Sequence, residues 1–281
     1  MDIKAFISLM RPINSVMVGF AVIVGALIAN PFNLSLKNLV LGFLTGFLIS
    51  SYSMVINDYY DFEVDKVNNP NRPFPRGKVS RIEGIAFGMV LLILGILSSL
   101  LISVETLILA SLFALLAWLY NWKVKKFGLF GNSIVSLSVA IPYIYGGIAV
   151  NTFDNKLLWF LALTSFLASM GREVIKGIND VKGDTLRNIN SIARVKGERF
   201  ASRLGISFFL LAILSTSFPL IFNLVGIVFL VMVMIPNLLF IYLSLSIFRD
   251  FSVNNTKRVK NLALLGMALG LLAFIIGGLV K

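Results

Sequence analysis

The stretch KNLVLGFLTGFLISSYSMVINDYYDFEVDKVNNPNRPFPRGK, residues 37–78, has two unlike halves. The first, 37–56, carries one charge, Lys37, and is long enough to cross a bilayer as a helix, which takes about 17–25 residues. The second opens with four carboxylates in eight positions: Asp58, Asp61, Glu63 and Asp65. It then turns through Asn68-Asn69-Pro70 and ends on Arg72, Arg76 and Lys78, with Pro73, Pro75 and Gly77 stiffening the frame. The change from oil to charge marks a helix leaving a membrane and carrying polar chemistry at its mouth.

Moving outward, the apolar half recurs. Blocks at 13–30, 84–104, 106–122, 128–150, 157–171, 204–222, 224–248 and 261–280 are each nearly free of charge. The chain has 281 residues, 58% hydrophobic and 14% charged, where a soluble domain carries about a quarter charged. Only helices and closed barrels satisfy their backbone in lipid. Continuous apolar runs exclude the alternation of a barrel. The expected fold is therefore an all-α polytopic membrane protein with about nine transmembrane helices in one bundle, a single domain over 1–281. The crossing at 106–122 is bracketed by Glu105 and Lys123. The first block begins at Arg11-Pro12 without a small-residue cleavage site, so it reads as a crossing rather than a cleaved signal.

Cys and His are both absent from the sequence. That excludes thiol nucleophiles, imidazole catalysis and thiolate or imidazole metal sites. A metal would have to sit on oxygen, which selects Mg²⁺, Mn²⁺ or Ca²⁺.

The net charge of +12 is not spread evenly. With nine crossings, 22 of the 25 basic residues fall in one alternate set of connections, at 1–12, 57–83, 123–127, 172–203 and 249–260. The positive-inside rule makes that set, and the N-terminus, cytoplasmic in the cell membrane. Such bases fix topology and meet anionic membrane lipid, so nucleic acid is not an expected partner. Eleven of the thirteen acids lie on the same side, which a basic anchor does not explain. Two connections are long, about 57–83 and about 177–203, and long ordered loops are usually functional. Both open with Asn-Asp: Asn57-Asp58 and Asn179-Asp180.

Asp58, Asp61 and Asp65 are spaced three and four apart, within roughly 60° on one helix face. Glu63 is off that face, where solvation suffices. Like charges at this spacing destabilise a helix unless a cation sits among them. The second cluster, GREVIKGINDVKGD at 171–184, again puts Glu173, Asp180 and Asp184 on one face, with Arg172, Lys176, Lys182 and Arg187 nearby. Carboxylates beside bases suit a metal-bridged phosphate: Mg²⁺ takes one or two carboxylates plus phosphate oxygens, and guanidinium and ammonium groups grip the rest. Pairing of exposed acids and bases in water contributes little. It would account for one such cluster more readily than for two on the same side.

Asn57-Asp58…Asp61…Asp65 followed by Asn71-Arg72-Pro73-Phe74-Pro75-Arg76-Gly77 resembles the first signature of the UbiA superfamily of intramembrane prenyltransferases. Asp180…Asp184, with Gly183 before it, resembles the second. Within the superfamily, several details resemble the archaeal digeranylgeranylglyceryl phosphate synthases. These are Arg11-Pro12 with Asn14, Tyr120-Asn121, Lys125-Lys126 before Gly128, Gly131-Asn132, and Gly171-Arg172-Glu173 with Lys176. Val124 stands where a Lys often follows the Tyr by four, and Ser191-Ile192 where a Thr-Leu pair often follows the second motif.

The resemblance implies a geranylgeranyl diphosphate donor, a geranylgeranylglyceryl phosphate acceptor and Mg²⁺. Asp58, Asp61, Asp65, Asp180 and Asp184, with Asn57, are the expected metal-binding and catalytic residues. Lys125, Lys126, Arg172 and Lys176 are candidates for the leaving diphosphate. Arg11, Arg72 and Arg76 are candidates for the acceptor phosphate, with Asn14 and Tyr120 also expected at substrate. Tyr59, Tyr60, Tyr120, Tyr143 and Tyr145 offer ring faces to an allylic cation, though helix packing or an interfacial belt also accounts for each. Two alternatives stand: an aromatic acceptor, as in quinone synthesis, and an ion-coupled transporter. Transporters place ionisable groups near the bilayer midplane, whereas the acids here collect at helix ends.

Overall fold

The computed structural model describes residues 2–186 and 189–280, with the backbone alone for Asn68, Lys182 and Leu186. Arg187 therefore lies outside the described residues, as does the Lys182 side chain. Thirteen α-helices and one 3₁₀ turn make up the regular structure of the described residues. Among the described residues nine helical segments are long and apolar enough to cross a membrane: Pro12–Ala29, Leu36–Tyr60, Arg81–Leu100, Val104–Trp122, Leu129–Ala149, Lys156–Val181, Glu198–Ile221, Ile227–Arg249 and Val253–Leu279. They match the nine apolar blocks in order, so the chain is a multi-pass α-helical membrane protein. Large apolar side chains such as Phe20, Leu112, Leu238 and Phe248 are exposed along these spans, as lipid-facing surfaces require.

The contacts divide the chain into two compact units, one of residues 2–124 and 145–152, the other of 125–144 and 153–280. In the first, a short helix α1 (Ile3–Met10) leads into α2 (Pro12–Ala29), α3 (Leu36–Tyr60), α4 (Phe62–Asn68), α5 (Arg81–Leu100) and α6 (Val104–Trp122). α3 packs on α1, α2, α5 and α6. The helices start where their sequences supply caps. Ser35 opens α3, Ser80 and Glu83 form a reciprocal capping box on α5, and Ser103 with Thr106 does the same on α6, each satisfying N–H groups that a helix start leaves open. The core of this unit includes Phe6, Leu9, Ile49, Val55, Phe74, Val79 and Leu91.

The second unit holds α7 (Leu129–Ala149) as far as Ile144, then α8 (Lys156–Leu186), α9 (Ile192–Lys196), α10 (Glu198–Ser215), α11 (Phe218–Ile221), α12 (Ile227–Arg249) and α13 (Val253–Leu279). α8 packs on α9, α10, α11 and α13. Gly171 and Gly205 let α8 and α10 approach until a Cβ on either would press on the other's carbonyl oxygen, a close approach that small residues permit between membrane helices. Ile175, Phe209, Leu243 and Ile247 form the adjoining core.

Both expected long loops are shorter than the sequence implied. The stretch 57–83 begins inside α3, forms α4, and is irregular only over 69–80. The stretch 177–203 begins inside α8, which runs on to Leu186, and resumes helix at Ile192. Charge marked the end of the apolar run, not the end of the helix. In α8 the acids and bases sit on helical turns whose other face stays apolar, with Val174, Ile175 and Ile178 buried.

Candidate active site

Asp58 stands in the last turn of α3, and Asp65 in α4. The helix does not run through: it breaks at Asp61, which ends α3 and begins α4 with φ −85° and ψ 4°. The continuous helix face expected for Asp58, Asp61 and Asp65 is thus replaced by a bend. Asp58 and Asp65 are buried, at 3% and 2% exposure, while Asp61 is half-buried. The bend aims the two buried carboxylates at one nitrogen. Arg72 Nη1 donates to Asp58 Oδ1 at 3.0 Å and to Asp65 Oδ2 at 2.5 Å. Arg11 Nη2 donates to the same Asp58 Oδ1 at 2.5 Å.

Two backbone devices place the arginines. Arg11 joins α1 to α2 in the left-handed region, φ 46° and ψ 67°. A non-glycine residue adopts that conformation at a cost. Arg72 lies in the turn after α4, where its N–H donates to Asn69 O and the Asn69 amide donates to Asp65 Oδ1 at 3.0 Å. The turn is pinned by Phe74, which is 3% exposed, sits in the core of this unit, and lies against Gly84 so closely that a Cβ there would overlap its ring. Sequence reasoning missed Phe74. Its signal was one aromatic residue between two prolines in an otherwise polar loop.

Asn57 donates from its amide to Asn121 Oδ1 at 2.8 Å, and Asn121 donates to Ala117 O, so Asn57 is held by the end of α6. Tyr120, on the same turn, is half-buried. Asn14 and Arg76 are exposed. Lys78 is spent on Asp2, at 3.0 Å, and that ammonium, with the Ala5 N–H, holds the Asp2 carboxyl below its ordinary value. Arg81 lies over the Tyr59 ring at 4.3 Å and the Phe62 ring at 5.3 Å, so one face of Tyr59 is already covered. Tyr145 sits beside Gly42, sixteen residues up α3 from Asp58, or about 24 Å along the helix. That distance removes it from the chemistry at Asp58.

In the second unit the polar residues follow one helix. Glu173 is buried, accepting from Arg172 Nη1 at 2.6 Å and Lys176 Nζ at 3.0 Å. Arg172 Nε also donates to Lys260 O at 3.2 Å, tying α8 to α13. One turn on, the Asn179 amide, oriented by its surroundings, donates to Thr256 Oγ1 and Val253 O. Asp180 is exposed and Asp184 is buried. Beyond α8, Arg194 donates to the carbonyls of Asp184 and Ile189, a second residue the sequence reading did not single out.

Lys125 and Lys126 form the 3₁₀ turn before α7. The Asn190 N–H donates to Lys126 O at 3.0 Å, and Gly128, at φ 47°, lies so close to Asn190 O that a Cβ would collide with it. The lysine turn is therefore stitched to the segment that follows the second acidic helix. Lys125 is half-buried and Lys126 exposed.

Among the described residues no three acidic side chains come close enough to cage a metal unaided. The donor set nevertheless fits Mg²⁺, which takes hard oxygens and usually only one or two carboxylates. Asp58 and Asp65 already focus two oxygens on a single cationic point.

Among the described residues, nine helices of crossing length define a polytopic membrane protein, with buried carboxylates held by arginine or lysine in each unit. The model of the UbiA prenyltransferase family matches residues 18–267, and the chain belongs to that family. It is a prenyltransferase. Its sequence is 35% identical to digeranylgeranylglyceryl phosphate synthase of Archaeoglobus fulgidus over 279 residues, covering 98% of this chain and 95% of the relative. It is 32% identical to the same enzyme of Thermococcus sibiricus over 281 residues, covering 100% and 99%. A solved structure of digeranylgeranylglyceryl phosphate synthase superposes with a TM-score of 0.86 at 31% identity over 98% of each chain. A UbiA homolog from Archaeoglobus fulgidus bound to GPP and Mg²⁺ shares the fold, with a TM-score of 0.65 at 15% identity over 96% of this chain and 99% of that one.

Proposed function

We propose that the chain acts over its whole length as one Mg²⁺-dependent prenyltransferase domain. It moves a geranylgeranyl group from geranylgeranyl diphosphate to the glycerol hydroxyl of geranylgeranylglyceryl phosphate. The acceptor oxygen bonds to C1 of the allylic chain, the C1–O bond to diphosphate breaks, and the hydroxyl proton passes to a carboxylate, the released diphosphate or water. The product carries the second ether bond of an archaeal membrane lipid. The observation that carries this reading is the near-complete alignment with relatives of that name.

The residues divide the work. Asp58, Asp61 and Asp65, with Asn57, and Asp180 and Asp184 hold the metal-bound diphosphate. When bound, Mg²⁺ withdraws charge from the leaving group as the allylic bond breaks. Lys125, Lys126, Arg172 and Lys176 neutralise the leaving diphosphate. Glu173 supports this by holding Arg172 and Lys176 side by side. Arg11, Arg72 and Arg76 serve the acceptor phosphate, Asn14 and Tyr120 line the substrate, and the helix surfaces take the prenyl tails. The concentration of basic residues on one set of connections supports a cytoplasmic site in the cell membrane.

The test is purified protein with labelled geranylgeranyl diphosphate and a panel of acceptors, the product identified by mass. A digeranylgeranylglyceryl phosphate product that needs Mg²⁺ is expected. Turnover with an aromatic acceptor alone, or turnover untouched by EDTA, would refute the reading.

A further inference from the structure

Arg72 bridges two buried carboxylates through one nitrogen, although its own side chain is 29% exposed. The oxygen it meets on Asp58 also accepts from Arg11, so both lone-pair directions of that oxygen are engaged. In this contact two carboxylates face two guanidiniums. A cation coordinated by Asp58 Oδ1 and Asp65 Oδ2 would take the place of Arg72 Nη1. The guanidinium would then need a new anionic partner, because a buried ion pair broken on one side is strongly destabilising.

We propose that Arg72 is a tethered counter-ion that competes with the divalent metal for Asp58 and Asp65, so that metal enters together with a diphosphate rather than before it. The proposal rests on the metal–diphosphate reading above and moves Arg72 from the acceptor phosphate to the donor's diphosphate. A bare cation gains two carboxylates but strands Arg72. A cation arriving with diphosphate brings phosphate oxygens, which a guanidinium binds in its preferred forked geometry. Ion pairing is then exchanged rather than lost. The turn 69–77 suits this exchange: it is anchored at Phe74, and the Arg72 side chain it carries keeps 29% of its surface open. Arg11, which reaches Asp58 from the separate junction of α1 and α2, stays on it.

The experiment uses Mn²⁺ as the probe, titrated into the full-length protein in detergent and read by electron paramagnetic resonance, with and without inorganic diphosphate. No turnover is involved. Wild type is expected to bind Mn²⁺ weakly alone and about tenfold or more tightly with diphosphate. Arg72→Gln should bind Mn²⁺ alone about tenfold more tightly than wild type, and diphosphate should add little. Lys78→Gln removes the same charge from the same turn and should change Mn²⁺ affinity less than about threefold. An Arg72→Gln affinity no greater than that of Lys78→Gln overturns the proposal. If Arg72→Gln does not fold, Arg72→Lys carries the test. Its shorter point charge cannot bridge both carboxylates, and a gain of about threefold over wild type is expected, where no gain overturns the proposal. A wild-type affinity that diphosphate leaves unchanged sinks the metal–diphosphate reading itself, whatever Arg72 does.

Discussion

The two Asn-Asp segments begin alike and are built differently. Asn57 and Asn179 each spend their amide on a neighbouring helix, α6 and α13. The carboxylates beside them then diverge. Asp58 is buried and held by Arg11 and Arg72, 47 and 14 residues away in sequence. Asp180 is exposed, and Glu173 in that segment is gripped by its own helix neighbours Arg172 and Lys176. The first cluster is therefore a product of tertiary folding and the second of one helix. Changes at the first should disturb fold and chemistry together, and changes at the second should be local.

The largest effect should come from Asp58→Asn. The amide keeps an oxygen for the arginines but removes the charge that both of them, and a metal, require. Transfer of the prenyl group should fall about a hundredfold or more in kcat/KM, equivalent to about 3 kcal/mol of transition-state stabilisation. Activity within a few-fold of wild type would remove Asp58 from the site.

Phe74→Ala tests whether the first cluster depends on the fold. It empties a buried aromatic site, a change that costs about 3–5 kcal/mol in soluble cores, and it releases the turn that carries Arg72. The thermal midpoint in detergent should drop, and turnover should drop with it. An unchanged midpoint would mean that Phe74 does not anchor the turn.

Glu173→Gln tests the local cluster. Arg172 and Lys176 keep their backbone positions but lose the charge that holds them together. The donor KM is expected to rise about three- to tenfold with kcat within about twofold, the signature of lost binding rather than lost chemistry. A fall in kcat as large as that of Asp58→Asn would show that the two clusters are not built on different principles.

The contrast also explains what was legible in the sequence. Crossings are sums over about twenty residues, so all nine emerged from the apolar blocks. The spacing placed Asp58, Asp61 and Asp65 on one helix face; in the fold Asp58 and Asp65 instead meet at Arg72 Nη1 from either side of the bend at Asp61. The bend itself was hidden, since it depends on Arg72 and Asn69 reaching back to Asp65. The ends of α3 and α8 were misjudged because charge was taken for solvent. In α8 Glu173, Arg172 and Lys176 satisfy one another on the helix, and Arg194 donates to the carbonyls of Asp184 in its last turn and of Ile189 beyond it. No helical spacing encodes the reach of Arg194, whereas the i,i+3 pair of Glu173 and Lys176 is visible in sequence.

The smallest effect should come at the outer edge of the first cluster, where Lys78 of the arginine-bearing turn meets Asp2 at the start of α1. The Lys78 ammonium and the Ala5 N–H favour the ionised Asp2 carboxylate, so its pKa in the folded protein lies below its ordinary value of 3.8. A group whose pKa is depressed by folding stabilises the folded state above its unfolded pKa, and loses that contribution as pH falls through the folded one. Asp2→Asn should therefore lower the thermal midpoint slightly near neutral pH, and the difference from wild type should close below pH 3.8 as Asp2 takes up its proton. Raised salt should shrink the same difference at neutral pH, because the pair is exposed and screened. A difference that persists unchanged at acid pH would show that Asp2 acts through its helix cap alone, and that the turn carrying Arg72 is held by Phe74 without help from Lys78.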